Sequence, residues 1–171
     1  AQSHYVNAPE HLLRSTLMGK YQLSPQQLAT AVPDFNVFHR YAANFPWRSH
    51  ALWFLSQMVR WGQITQPTDL NTIVQQAYRP DLYRSAAETL GIAAPEMDYK
   101  REGVFNNAWK LQANDHSLLM GSDQFCDGKV FDPSGLADYI GQFDIHSCAL
   151  SQTDLEQMAR TSLTLSKTPK N

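Results

Sequence analysis

A length of 171 residues is that of one domain of ordinary size, and a hydrophobic content of 43% is enough for a packed core. Charged residues make up 18% of the chain, below the usual proportion of about a quarter, and the net charge is -2. This balance excludes the basic surface of a protein that binds nucleic acid or a membrane surface directly. The sequence has no run of about eighteen apolar residues that could span a membrane, and its start, AQSHYVNAPE, does not resemble a signal peptide.

Prolines, glycines and capping residues mark the first elements. Pro9 suits the first turn of a helix, and Gly19 is a suitable stop for it. The spacing of Ser24-Pro25-Gln26-Gln27 is that of a capping box, so it predicts a short second helix that Pro33 ends. Residues 35–42 are rich in aromatic and β-branched side chains and predict an extended segment.

The next element is the most unusual one in the chain. Residues 50–61 predict a helix that Ser49 caps and Gly62 ends, and this helix is apolar on nearly every side. It includes Trp53 and Trp61. A helix that is apolar all round must be buried on all sides, which 171 residues do not easily achieve. We therefore predict an interior element that is enclosed by polypeptide beyond this chain.

Helical periodicity returns further along. Two helices are predicted on either side of Arg79-Pro80, because the proline must interrupt the pattern. Residues 92–128 show little periodicity and predict a long irregular arm, followed by a short strand at 129–131. A helix capped by Ser134 and an amphipathic helix over residues 151–165, with Ser151 and Asp154 at capping-box spacing, complete the prediction.

The two cysteines, Cys126 and Cys148, permit a disulfide or two unpaired, partly buried thiols, and they form no disulfide framework. No Cys/His cluster has zinc spacing. Asp123, Asp127 and Asp132 lie in a glycine-containing loop, but their spacing is not that of a calcium loop and favours turn-forming aspartates. No metal or cofactor is predicted.

No residue set indicates an enzyme. The histidines are scattered, and the chain has no GxSxG, GxGxxG or Walker A motif. Ser49 and His50 are adjacent in sequence, which does not by itself make a catalytic pair, and His50 is interpreted as a first-turn residue of the apolar helix.

The cluster Phe45-Pro46-Trp47-Arg48 is the best candidate for contact with a ligand. An arginine beside an aromatic ring at a helix N-terminus suits a small anion, because backbone N–H groups and a bidentate guanidinium favour negative charge there. Trp47, Arg48 and His50 are the candidate ligand-binding residues. The alternative is that Trp47 packs in the core and Arg48 pairs with a carboxylate of the protein.

Four segments resemble one known family, and together they cover residues 4–146 in order. They are YVNAPEHLL, FHRYAANFPWRSHALWFLSQMVRWG, YRPDLYRSAAETLGI and FCDGKVFDP. The family comprises the nitrate- and bicarbonate-binding solute receptors of ABC transporters, a receptor-like extension fused to a transporter ATPase, and cytoplasmic nitrate/nitrite sensors that partner an RNA-binding antiterminator.

The resemblance implies a helix-rich α/β chain that forms the C-terminal portion of a two-lobed, type II periplasmic-binding-protein-like fold. Family members are more than twice as long, so the fold is expected to be incomplete here. Residues 1–146 would belong to the solute-binding-protein-like domain, and 147–171 would be a helical or disordered tail. No pocket residue of the family maps onto this chain, because its part of the anion pocket lies upstream.

The implied function is non-catalytic binding of nitrate, nitrite or bicarbonate for ABC uptake, with a transporter permease as the partner. The alternatives are a cytoplasmic sensor that controls an antiterminator and a helical fragment that docks on a partner. A transport receptor would be periplasmic or membrane-associated, whereas a sensor would be cytoplasmic.

Overall fold

The computed structural model describes residues 4–113 and 116–160 of the chain. The chain divides into two compact units, Ala1–Asn44 and Phe45–Asn171. The boundary predicted at residue 146 is not tested by this division and stays a prediction. Across the described ranges, none of the helices combines the length and apolar character needed to cross a membrane.

From residue 4 onward, the first unit contains one α-helix and a short antiparallel ladder. Helix α1 spans Glu10–Leu17, strands β1 and β2 span Lys20–Tyr21 and Thr30–Ala31, and a turn of 3₁₀ helix spans Arg40–Ala42. Lys20 pairs with Ala31 across the ladder. The limits predicted for α1 are confirmed, since Pro9 is its N-cap and Gly19 follows with a φ of +60°.

Two predictions in this unit are wrong. No helix follows Ser24, where the chain instead turns and enters β2. A helix of at most eight residues is marginal without tertiary packing, so a capping signal alone did not secure it. Residues 35–42 are not extended, because turns and the 3₁₀ segment occupy them.

The second unit contains five helices among its described residues. They are α2 Arg48–Arg60, α3 Leu70–Ala77, α4 Pro80–Thr89, α5 Leu136–Gly141 and α6 Gln152–Arg160. Asp69 caps α3 by accepting the N–H groups of Asn71 and Thr72, each at 3.1 Å. Pro80 occupies the first turn of α4, as its lack of an N–H favours.

The predicted capping pair of α6 is confirmed. Ser151 Oγ donates to Asp154 Oδ2 at 2.6 Å, and Asp154 N donates back to Ser151 Oγ at 3.2 Å. Residues 161–165 of the predicted helix lie outside the described residues. Ser134 does not cap α5 as predicted, since Gly135 is the N-cap and the Ser134 hydroxyl donates to Asp132.

The predicted irregular arm is partly wrong, because it contains an antiparallel hairpin. Strands β3 Trp109–Ala113 and β4 His116–Met120 pair in register, with Trp109 opposite Met120. The strand predicted at 129–131 is reduced to a single bridge between Phe131 and Glu102. The strands of the described residues thus form two separate two-stranded sheets.

Four helices enclose the core of the second unit. Helix α2 packs on α3 and α5, and α6 packs on α3 and α5. Phe131 is fully buried among these helices and meets the Tyr139 ring edge-on at 4.9 Å. The fully or nearly buried apolar side chains of this core are Ala51, Leu52, Val59, Leu70, Val74, Phe131, Leu136, Ala137, Tyr139, Ile140, Leu155 and Met158.

Within this chain, helix α2 buries one face only, and its enclosure by polypeptide beyond the chain stays a prediction. Leu52 and Val59 face the core, whereas Phe54, Met58 and Trp61 are 57%, 39% and 47% exposed. The physical reason is that α3 and α5 cover one side of the helix. Ser49 is also not its cap, since the N-cap is Trp47 and makes no side-chain capping bond.

The difference between the two faces predicts unequal costs of truncation. Replacing buried Leu52 by alanine leaves a cavity in the core and should lower the free energy of unfolding by about 2–5 kcal/mol. Replacing exposed Phe54 by alanine, two residues away on the same helix, removes its edge-on contact with Trp53 and should cost about 1 kcal/mol or less. Urea unfolding of the 171-residue chain measures both, and equal costs would contradict the assigned orientation of α2.

Candidate functional site

The start of α2 brings the predicted ligand residues beside an extended segment, residues 98–102. Trp47 is only 1% exposed, and its ring meets Phe45 edge-on at 4.8 Å. The Lys100 ammonium lies 5.7 Å from the centroid of the Trp47 ring. Trp47 therefore packs inside the unit, as the second of the two predicted alternatives requires.

Arg48 is paired with a carboxylate of the chain itself. Its Nη1 lies 2.5 Å from Asp98 Oδ2, its Nε donates to the Tyr78 carbonyl at 3.3 Å, and its backbone N–H donates to the Asp98 carbonyl at 2.9 Å. Arg84 holds the other oxygen of Asp98 at 2.7 Å. Asp98 thus receives two guanidinium groups, and it joins α2 to α4 through charge-assisted hydrogen bonds.

A second carboxylate lies next to it, almost fully buried. Glu102 accepts a hydrogen bond from Ser49 Oγ at 2.6 Å, pairs with the ammonium of Lys100, and lies 3.4 Å from His50 Nε2. Lys100 Nζ also reaches Asp123 Oδ2 at 3.2 Å. We call this group of Ser49, His50, Lys100, Glu102 and Asp123 the Glu102 cluster.

The surroundings of Glu102 lower the pKa of its carboxyl group. Burial alone would raise this pKa, but the hydrogen bond from His50 and the charge of Lys100 outweigh burial. The carboxylate is therefore the stable form at neutral pH. A negative charge near the N-terminus of α2 also interacts favourably with the helix dipole.

These contacts determine what the site can do chemically. The features that suit a small anion, namely a helix N-terminus, a guanidinium and an ammonium, are already engaged with Asp98 and Glu102. An external anion would have to displace a carboxylate of the protein or lie beside two of them. Of the three predicted ligand residues, His50 is the one whose side chain is substantially exposed. That Trp47, Arg48 and His50 bind a ligand stays a prediction.

Sequence reasoning missed Lys100, Glu102 and Asp98. The signal available was the alternation Lys100-x-Glu102, because residues two apart on an extended segment share a side.

The aspartates of the loop have separate roles. Asp127 and Asp132 accept backbone N–H groups two residues on, as predicted for turns, and Asp123 pairs with Lys100. Cys126 and Cys148 are both free thiols.

The chain is similar to proteins of nitrate transport. It is 30% identical to the nitrate import ATP-binding protein NrtC of Synechocystis sp. over 146 residues, which are 85% of this chain and 19% of NrtC. It is 34% identical to the nitrate/nitrite binding protein NrtA of Synechococcus elongatus over 98 residues, which are 57% of this chain and 18% of NrtA. No family model matches the chain.

The fold agrees with these similarities. The crystal structure of the periplasmic nitrate-binding protein NrtA from Synechocystis PCC 6803 superposes with a TM-score of 0.55 at 23% identity, over 84% of this chain and 33% of that one. These sequence similarities and the shared fold support the predicted resemblance to the nitrate- and bicarbonate-binding solute-receptor family of ABC transporters. The family prediction is thereby confirmed, as is the prediction of a partial two-lobed fold. The chain spans about a fifth of the length of the curated family relatives named above.

The Glu102 cluster predicts a large cost for removing its cation. Lys100→Met would leave Glu102 and Asp123 without their shared partner in a buried place, and should destabilise the fold by about 3–5 kcal/mol. Lys110→Met changes an exposed lysine on β3 and serves as the matched control, with little expected effect. Urea unfolding of the two variants measures both effects. Similar midpoints for the two variants would show that the Glu102 cluster does not stabilise the fold.

The lowered pKa of Glu102 predicts a pH dependence of stability. Since the folded pKa lies below the ordinary value of 4.5, ionised Glu102 stabilises the fold above pH 4.5. That contribution disappears as the pH falls from there through the folded pKa. Glu102→Gln should therefore lose less stability than the parent between about pH 6 and pH 3, whereas Glu88→Gln, an exposed control on α4, should keep the parental slope. The same slope in all three proteins would contradict this role of Glu102.

Proposed function

We propose that this chain is a segment of a nitrate-type anion-binding protein that acts in ABC transport uptake without catalysing a reaction. The observation that supports this most directly is the similarity to three nitrate/nitrite binding proteins at 30–34% identity over 57–61% of the chain. The ligand would be a small inorganic anion, namely nitrate, nitrite or bicarbonate, and the partner a transporter permease.

The geometry of the second unit suggests how the segment contributes. Arg48, Arg84 and Lys100 already hold carboxylates of the chain. A protein that captures nitrate needs donors that are still available to the ligand. We therefore assign to these residues the task of fixing α2, α4 and the 98–102 segment, and we assign the contacts with the anion to polypeptide of the receptor that these 171 residues do not match.

Transport is favoured over the alternative of a nitrate/nitrite sensor that controls an antiterminator. The relatives include a nitrate import protein and a bicarbonate transport ATP-binding protein, CmpC, that is 28% identical over 103 residues. The transport assignment needs no catalytic residue, which is consistent with the absence of a nucleophile–base motif from the sequence.

A second candidate is the receptor-like extension of a transporter ATP-binding protein. It is favoured by the match with NrtC, which covers 85% of the chain, more than any of the three NrtA matches. Retention of labelled ATP by the full-length gene product would favour this candidate. Binding of the anion without ATP would favour the separate receptor.

The proposed function predicts that the full-length gene product that contains this chain binds nitrate, nitrite or bicarbonate with a measurable heat. Isothermal titration should give saturable binding for at least one of these anions and none for chloride at the same concentration. Ion chromatography should recover the anion unchanged, since binding is reversible and no bond is broken. The 171-residue chain alone should give no saturable heat, because Arg48 and Lys100 beside the start of α2 are paired with carboxylates of the chain. Heats of dilution for all three anions with the full-length product would contradict the proposal.

A further inference from the structure

The exposed side of α2 is a continuous apolar surface. Phe54, Met58 and Trp61 lie four and three residues apart, so they form one row that runs along α2 to its C-cap, Trp61. The half-buried ring of Trp53 extends this row sideways and meets Phe54 edge-on at 5.2 Å. We call Phe54, Met58 and Trp61 the outer face of α2.

The outer face differs from ordinary solvent-exposed helix surface. Between Arg48 and Arg60 the helix has no lysine, arginine, aspartate or glutamate. The Arg60 guanidinium lies 3.6 Å from the centroid of the Phe143 ring and 4.5 Å from that of Trp61, and it donates to the Ile145 carbonyl, so it borders the outer face only at its Trp61 end. In contrast, α4 exposes Leu82 among charged residues. Isolated exposed apolar residues are common, but a row of two aromatic rings and a methionine is typical of an interface.

The comparison with the solved structure indicates what covers this surface. This chain matches 33% of the NrtA chain, so two thirds of that protein has no counterpart in these 171 residues. The inner face of α2 is already covered by α3 and α5. A helix that is apolar on opposite sides is stable in a position where polypeptide packs on both.

We propose that the outer face of α2 packs against the polypeptide that corresponds to the unmatched part of the NrtA chain, within the full-length gene product. The occupant is an apolar surface of the same receptor, and a second copy of the chain is the competing possibility. The proposal rests on the shared fold and not on the identity of the anion.

Oxidation of methionine by hydrogen peroxide tests this directly, because the reaction rate follows exposure. Met58 lies in the outer face, Met97 is similarly exposed elsewhere at 45%, and Met120 and Met158 are buried references. In the 171-residue chain, Met58 should be oxidised at about the rate of Met97 at every protein concentration. In the full-length product, the oxidation of Met58 should slow toward the rate of Met120. Met97 should still be oxidised quickly, which shows that the peroxide is active. Peptide mass spectrometry measures all four rates.

Two results of the oxidation experiment would overturn the proposal. One is a Met58 rate that is the same in the full-length product as in the 171-residue chain, which would mean that nothing covers the outer face. The other is protection of Met58 in the 171-residue chain that increases with its concentration, which would mean that a second copy covers it. Protection of Met58 in a product that does not bind nitrate would leave the interface standing and contradict the proposed function alone.

A pair of variants provides an independent test. The double variant F54Q/W61Q should lower the melting temperature of the full-length product clearly, because it places two amides in a packed interface. The same change should affect the 171-residue chain less, because there these side chains are about half exposed and the variant removes only the contacts of Phe54 with Trp53 and of Trp61 with Arg60. Leu82→Gln alters an equally exposed residue of α4 and should affect neither protein strongly. Equal shifts for the double variant in both proteins would overturn the proposal.

Discussion

The burial of one face of α2 is the interaction on which the second unit depends. Val59 is fully buried on this face, and Leu52 is nearly so. Helices α3 and α5 pack against them, and α6 completes the group by packing on both of these helices. Since the burial of each large aliphatic side chain contributes roughly 1.5–3 kcal/mol, a displacement of α2 would expose a substantial part of this core. The position of Arg48, Ser49 and His50 in the candidate site follows from the position of this helix.

The N-terminus of α2 is held by carboxylates of the chain, and this affects its function. Asp98 forms ion pairs with the guanidinium groups of Arg48 and Arg84. Buried Glu102 accepts a hydrogen bond from Ser49 and forms an ion pair with Lys100. A helix N-terminus with cationic side chains is a general anion site, but here the anions are the side-chain carboxylates of Asp98 and Glu102. The same chemistry that made this region the best ligand candidate in the sequence here joins residues 98–102 to the start of α2.

Local signals predicted the ends of three helices, although they failed at Ser24, Ser49 and Ser134. Pro9 and Gly19 delimit α1, Pro80 begins α4, and the Ser151–Asp154 pair begins α6, because these residues act on backbone groups within a few positions. The β3–β4 hairpin was missed, since strand pairing depends on cross-strand contacts that a search for helical periodicity does not find.

The candidate site was only partly predictable, for the same reason. The contacts of Ser49 with Glu102 and of Arg48 with Asp98 join residues 53 and 50 positions apart. A sequence pattern indicates which types of residue are present but not which distant partner neutralises them. The apolar character of α2 was evident from its composition, but the sequence did not show which side of the helix this chain itself covers.

The central claim is that α2 is an interior helix of a larger receptor, with one face covered by this chain and the other by the remaining polypeptide. An experimental structure of the full-length gene product tests it most directly, through the exposed fractions of Phe54, Met58 and Trp61. Our account predicts that all three become buried against residues outside this chain, while Leu52 and Val59 keep their present surroundings. If the three side chains remain as exposed as they are here, the account is contradicted.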